Sequence, residues 1–174
     1  MTPSATLPRR RDGSGHAPYR IAVVCLGNIC RSPIAGTVLR AHIASAGLAD
    51  RVVVDSAGTG DWHVGQPMDE RAVRVLTAAG YDASRHRARL AEAHWLAEHD
   101  LVLAMDADNR ADLEALGVPA DRLRMFRQFD PERSQYDVPD PYYGGADGFE
   151  EVLRIVERTS AALTDELAGL LDRC

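Results

Sequence analysis

At 174 residues and 45% apolar content, the chain is long enough to bury one conventional core and short for two. Its 26 acidic residues outnumber 20 basic ones, leaving a net charge of −6 and a pI near 5.5. This argues against nucleic acid as a partner, since the one basic run, Arg9 to Arg11, is short. No apolar stretch approaches the ~18 residues that span a membrane, so no membrane partner is expected either.

Aromatic residues make up only 6% of the chain, so the core should be assembled from Val, Leu, Ile and Ala, as in helix-covered parallel sheets. Every basic residue is Arg, a feature we give no functional weight. Three cysteines, an odd number without a secretion signal, point to thiol chemistry in a reducing cytoplasm and away from a disulfide scaffold.

Residues 1–18 are rich in Pro, Ser, Gly and Arg, lack an apolar period and read as a flexible tail ahead of one domain over 19–174. Tyr19 to Val24 reads as a buried strand. Pro33 to Ala46 reads as a helix, with Ile34, Val38, Leu39, His42 and Ile43 near helical spacing. A strand is predicted from Val52 to Ser56, then a Gly-rich loop to Pro67 and a helix from Asp69 to Ala79. A short helix around Ala91 to Glu98, a strand from Asp100 to Ala104, a helix from Asp108 to Leu116 and a strand near Leu123 to Phe126 follow. A loop from Asp130 to Gly148 leads into a last helix carrying Phe149, Val152, Leu153, Val156, Leu163, Leu167 and Leu170 at helical spacing. The alternation implies an α/β fold, with a four-stranded parallel sheet, right-handed crossovers and helices on both faces. Ligands of such sheets bind at the carboxyl ends of the strands near a switch point, where the loop over 25–31 falls.

That loop is Cys25-Leu26-Gly27-Asn28-Ile29-Cys30-Arg31-Ser32-Pro33. Gly27 and Asn28 tolerate left-handed dihedrals, so the backbone can curl until its N–H groups form a nest for a tetrahedral oxyanion. Pro33 suits the first helical position and turns the positive end of the helix toward the nest. Beside the fixed charge of Arg31, Cys25 is favoured as a thiolate, and Arg31 can fork onto two phosphoryl oxygens. The Ser32 hydroxyl either caps the helix or donates to the sulfur; we favour the sulfur. A nucleotide-binding Gly-x-x-x-x-Gly-Lys is missing from the sequence.

The run Val24 to Pro33 resembles the phosphate-binding loop of the low-molecular-weight protein tyrosine phosphatases. Asp55-Ser56-Ala57-Gly58-Thr59, Trp62-His63-Val64-Gly65, His86-Arg87-Ala88-Arg89, Met105-Asp106 and Asp140-Pro141-Tyr142-Tyr143-Gly144 follow in that family's order. The resemblance implies hydrolysis of phosphotyrosine in proteins through a phosphocysteine, with Cys25 as nucleophile, Arg31 as phosphate clamp and Asp140 as general acid and base. A phenol of pKa about 10 leaves poorly as its anion, so the chemistry needs that acid. Phosphate would sit against Leu26, Gly27, Asn28, Ile29, Cys30 and Ser32, with Ser56, His86 and Asp106 supporting the loop. Leu26, Trp62, Tyr142 and Tyr143 would line a cleft for the substrate ring. Inorganic phosphate and vanadate are the expected small ligands.

No cofactor or metal is expected, because His42, His63, His94 and His99 lack convincing Cys or acidic partners. The nearest rival is an arsenate reductase, but residues 31–173 contain no cysteine for a resolving relay. Protein arginine phosphatases carry threonine where this chain has Ile29. A non-hydrolytic phosphotyrosine-binding module would need neither Cys25 nor Asp140. Cys30, five residues after Cys25, is expected to capture an oxidised Cys25 as a disulfide.

Overall fold

β1 (Tyr19–Cys25) pairs in parallel with β2 (Val52–Gly58) on one side and with β3 (Leu101–Ala104) on the other, and β4 (Leu123–Met125) pairs in parallel with β3. The order is therefore β2-β1-β3-β4 in this computed structural model, which describes residues 6–13 and 15–173. The four-stranded parallel sheet expected from the alternating pattern is thus present. Its switch point lies between β1 and β3, whose carboxyl ends are Cys25 and Ala104.

The strands read as apolar runs because both faces of the sheet are covered. Tyr19, Ile21 and Val23 of β1, with Leu101 and Leu103 of β3, point into one core layer. α1 (Arg31–Ser45), α2 (Glu70–Ala78) and α5 (Ala146–Asp172) fill that layer with Ile34, Val38 and Leu39, with Leu76, and with Val152, Val156 and Leu163. The alternate residues Ala22, Val24, Val102 and Ala104 enter the other layer, under Trp95 of α3 (Ala93–Leu96) and Leu113 of α4 (Ala107–Ala115). Fully burying one such Leu or Val contributes about 1.5–3 kcal/mol. Among the described residues no helix is long and apolar enough to cross a membrane.

Two local features depart from the sequence reading. α1 begins at Arg31, so Pro33 is the third helical residue and not the first. The helix still opens normally, because Ile34 N donates to Cys30 O at 3.1 Å and Pro33 has no N–H to satisfy within the first turn. Residues 6–12, expected within a flexible tail, pack against the domain. Leu7 joins the core at 8% exposure, Tyr19 Oη donates to Pro8 O at 2.8 Å, and Arg11 N donates to Asp100 Oδ1 at 2.8 Å. Arg124 of β4 donates to Thr6 O at 3.1 Å, and the Arg11 guanidinium reaches Ala97 O and Glu98 O. Composition hid this because only the neighbouring Leu7 and Pro8 are buried, too short a run to show an apolar period. Residues 1–5 and 14 of the expected tail, and Cys174, lie outside the described residues.

Candidate active site

Between the end of β1 and the start of α1, residues 26–30 turn back in a tight loop. Asn28 makes the turn possible by taking a φ of 56°, the one positive φ at a non-glycine among the described residues. Gly27, expected to share that conformation, does not. A Cβ there would lie 3.2 Å from Cδ2 of the half-buried His63 side chain, which would have to shift slightly.

The Asn28 side chain is bonded at every polar position. Its Nδ2 donates to Ser32 Oγ at 2.8 Å and to Ser56 Oγ at 3.0 Å, and its Oδ1 accepts from Arg89 N at 3.0 Å. These three bonds fix which way the amide points. His86 Nε2 lies 2.7 Å from Asn28 O, so that nitrogen carries the proton and donates. Burial, opposed by this bond and aided by Arg40 and Arg87, holds the His86 pKa below the ordinary histidine value.

Cys25 Sγ is 2.9 Å from Ser32 Oγ and accepts from Asn28 N at 3.3 Å. Ser32 Oγ already accepts from Asn28, so its hydrogen is left for the sulfur, with Ala57 O a longer alternative at 3.3 Å. No side chain caps the start of α1. Of the two roles considered for Ser32, the geometry therefore favours the sulfur contact.

Arg31 is 3% exposed. Its Nη1 donates to Asp106 Oδ2 at 2.6 Å and to Val138 O at 3.2 Å, and its Nη2 lies 3.6 Å from Asp140 Oδ2. Burial works against its charge, but Cys25, Asp106 and Asp140 outweigh burial and raise its pKa. The neighbouring Cys30 thiol is pushed well up by burial, with Asp69, Cys25 and Asp140 adding to the shift.

Asp140 stands between Pro139 and Pro141, and its Oδ1 accepts from Tyr142 N at 3.1 Å in an Asx turn. Together with Cys25 and Arg31 it borders a cleft of about 280 Å³ whose walls include Leu26, Gly27, Ile29, Cys30, Trp62, His63, Tyr142 and Tyr143. Tyr142 and Tyr143 meet edge to face with centroids 4.9 Å apart. Trp62 and Tyr143 stand 67% and 91% exposed at the rim, an apolar surface open to a ligand. Every residue singled out from the sequence thus lines this cleft or belongs to the hydrogen-bonded shell beneath it.

The sequence profile of the family described as "Low molecular weight phosphotyrosine protein phosphatase" matches residues 20–170. The chain belongs to that family. A low molecular weight protein-tyrosine-phosphatase of Streptomyces coelicolor is 47% identical over 151 residues, covering 83% of this chain and 91% of the relative. Low molecular weight protein-tyrosine phosphatase A of Mycobacterium tuberculosis is 45% identical over 150 residues, covering 85% and 91%. The crystal structure of an Entamoeba histolytica protein tyrosine phosphatase superposes with a TM-score of 0.82 at 33% identity, covering 87% of this chain and 97% of that one. YfkJ of Bacillus subtilis gives 0.81 at 32%, covering 90% and 96%.

Sequence reasoning passed over one residue of this low molecular weight phosphatase. Arg71, in the first turn of α2, donates from Nε and Nη2 to the two oxygens of Asp69 at 3.0 Å each and from Nη1 to Tyr142 O at 3.0 Å. Its guanidinium lies over the rings of Phe149, at 4.6 Å, and Tyr142, at 5.4 Å. Asp69 N in turn donates to Ile29 O at 2.9 Å. Arg71 therefore ties the loop that carries Asp140 to the loop that carries Cys25. Asp69, expected as the first residue of the helix, instead caps it by accepting from Arg71 N at 2.9 Å.

Proposed function

We propose that the protein hydrolyses phosphotyrosine monoesters in tyrosine-phosphorylated proteins through a phosphocysteine. In the first step the Cys25 thiolate attacks phosphorus, the bond to the aryl oxygen breaks, and Asp140 gives its proton to that oxygen. Arg31 and the backbone N–H groups of the loop take the charge on the three equatorial oxygens. In the second step the Asp140 carboxylate takes a proton from water as it attacks phosphorus, the S–P bond breaks, and phosphate and the thiolate are released. Ser32 Oγ, 2.9 Å from the sulfur, stabilises the thiolate as attacking and as leaving group. The observation that carries this reading is a single cleft bordered by Cys25, Arg31 and Asp140 under a rim of Trp62, Tyr142 and Tyr143. Asn28, Ser56, His86 and Asp106 act as its supports, and phosphate and vanadate bind in the same cleft.

The test is steady-state hydrolysis of aryl phosphates. Cys25→Ser is expected to abolish turnover with the fold retained, and Asp140→Ala to slow phenyl phosphate by about 10² to 10⁴. The loss should be smaller for nitrophenyl phosphate, whose leaving group needs less protonation. Equal losses for the two esters would remove Asp140 from the acid role, and residual turnover in Cys25→Ser would remove the nucleophile. The same reading takes the protein as cytoplasmic and its activity as reversibly lost to peroxide, with Cys30 capturing oxidised Cys25. Dithiothreitol should then restore wild type fully and Cys30→Ser only in part.

A further inference from the structure

A second cavity, of about 370 Å³, shares no lining residue with the catalytic cleft. Arg40 of α1 and Arg85, Arg87 and Arg89 of the segment before α3 border it, together with His86 and Ser56. Among the described residues none of these four guanidiniums forms an ion pair, although the chain carries more acids than bases. Elsewhere the arginines do pair, as Arg20 does with Asp55, Arg71 with Asp69 and Arg158 with Asp130. The two carboxylates on the cavity wall are engaged with other groups. Asp55 Oδ2 accepts from Arg20 at 3.4 Å and pairs with His99 Nε2 at 3.0 Å, while Asp82 Oδ1 accepts from Ser84 N and Oγ.

Three of the four arginines are held in place without being neutralised. Arg40 Nε donates to Val54 O at 2.9 Å, Arg87 Nη1 donates to His86 O at 2.7 Å, and the Arg89 guanidinium lies 4.3 Å from the Trp95 ring centroid. The result is a concave site with four guanidiniums against two carboxylates, Asp55 offsetting part of the charge at Arg40 and Asp82 part of that at Arg85, and it stays net positive. The depressed His86 pKa, to which Arg40 and Arg87 contribute after burial, agrees with that charge.

We propose that this cavity binds a small polyphosphate from solution, of the pyrophosphate class. Guanidiniums pair bidentately with phosphoryl oxygens, and four of them around one cavity suit two linked phosphoryl groups better than one. The site also reaches the nucleophile through few bonds. His86 and the Arg89 N–H both donate to Asn28, and Asn28 N donates to Cys25 Sγ. An occupant is therefore placed to alter the loop that holds Cys25, which extends the phosphatase reading with a regulatory ligand.

The test is calorimetric titration of the full chain with inorganic pyrophosphate, against sodium chloride at matched ionic strength. A binding event is expected that Arg31→Lys leaves in place and that the double variant Arg85→Ala, Arg87→Ala weakens about tenfold or more. A double variant with the same charge change elsewhere, Arg110→Ala with Arg154→Ala, should bind as wild type does. The His86 ring resonances should shift on addition of pyrophosphate. The proposal is overturned if sodium chloride reproduces the effect, if both double variants lose binding equally, if Arg31→Lys alone loses it, or if His86 does not respond. Unfolding midpoints of the variants guard against misfolding: Arg85, Arg87 and Arg154 are exposed and Arg110 half-buried, while Arg31 is buried and replaced by the similarly long, charged Lys.

Discussion

Arg31 Nη1 donates to Asp106 Oδ2 at 2.6 Å, while the other oxygen of Asp106 caps α4 by accepting from Asn109 N at 2.8 Å. One carboxylate thus does two separable things. Asp106→Asn keeps an oxygen for the cap but turns a donor or a neutral oxygen toward the guanidinium. It is expected to lower kcat/KM about tenfold or more, the scale of one hydrogen bond to a charged group, with little change in the urea midpoint. Asp106→Ala should lose the same activity and a further ~1 kcal/mol of stability with the cap. Similar stability losses in the two variants would show that the Arg31 contact, and not the cap, carries the fold energy.

Arg71 joins the two loops that must act together, so its loss should appear in catalysis before it appears in stability. Arg71→Met keeps apolar bulk against Phe149 and Tyr142 but removes the bonds to Asp69 and to Tyr142 O. Acting through the placement of Asp140, it should slow phenyl phosphate by about tenfold while sparing nitrophenyl phosphate, as expected of a small misplacement of a catalytic group. Rates falling equally for both esters would mean that Arg71 does not act through the acid.

The parts of the molecule readable from sequence were those whose signal is local. β1 to β4 and α1, α2, α4 and α5 were found within a few residues because apolar spacing and turn residues mark them locally. The nucleophile loop was readable because strand, turn residue and helix start are consecutive. Arg71 was not, because its role depends on a carbonyl 71 positions away. The packed segment around Leu7 and the cluster of Arg40 with Arg85, Arg87 and Arg89 were hidden for the same reason: neither has a period, and both arise from contacts made only after folding. Gly27 shows the converse. Its sequence reading rested on a left-handed dihedral that it does not adopt, whereas its close neighbour, His63, comes from a distant loop and has no local signal.

Glycine substitutions separate close approach from backbone freedom. At Gly58 a Cβ would lie 2.7 Å from Leu26 O and 3.1 Å from Asn28 N, backbone atoms of the phosphate loop that have nowhere to go. Gly58→Ala is expected to cost about 1–3 kcal/mol as an overpacked site and to reduce activity by displacing that loop. Gly169 lies inside α5, where the added Cβ meets Arg173 Nη1 at an ordinary 3.5 Å. Gly169→Ala should therefore stabilise by about 0.5–1 kcal/mol through helix propensity and leave activity unchanged. Urea unfolding and initial rates on the pair check both claims, and a neutral Gly58→Ala would show that the loop yields.

Asp130 is fully buried, yet it is charged and held from three sides. Arg158 of α5 donates from Nε to Oδ1 at 2.7 Å and from Nη2 to Oδ2 at 2.9 Å, Arg127 donates to Oδ2 at 3.3 Å, and Glu132 N donates to Oδ1 at 2.9 Å. Burial alone would raise its pKa, but the bonds from Arg158, Glu132 N and Arg127 together outweigh burial and hold it below the usual carboxylate range. A folded pKa below the unfolded value of about 3.9 means that the stabilisation is complete above that pH and is lost as pH falls through the folded value. Arg158→Met leaves Asp130 with Arg127 alone as its charged partner, and should cost about 3 kcal/mol at pH 7, the lower end for breaking a buried pair. Urea unfolding of wild type and variant at pH 7 and at pH 3 measures the difference, which is expected to shrink at the lower pH as the carboxylate protonates. An equal difference at both pH values would mean that Arg158 contributes through its packing and not through its charge.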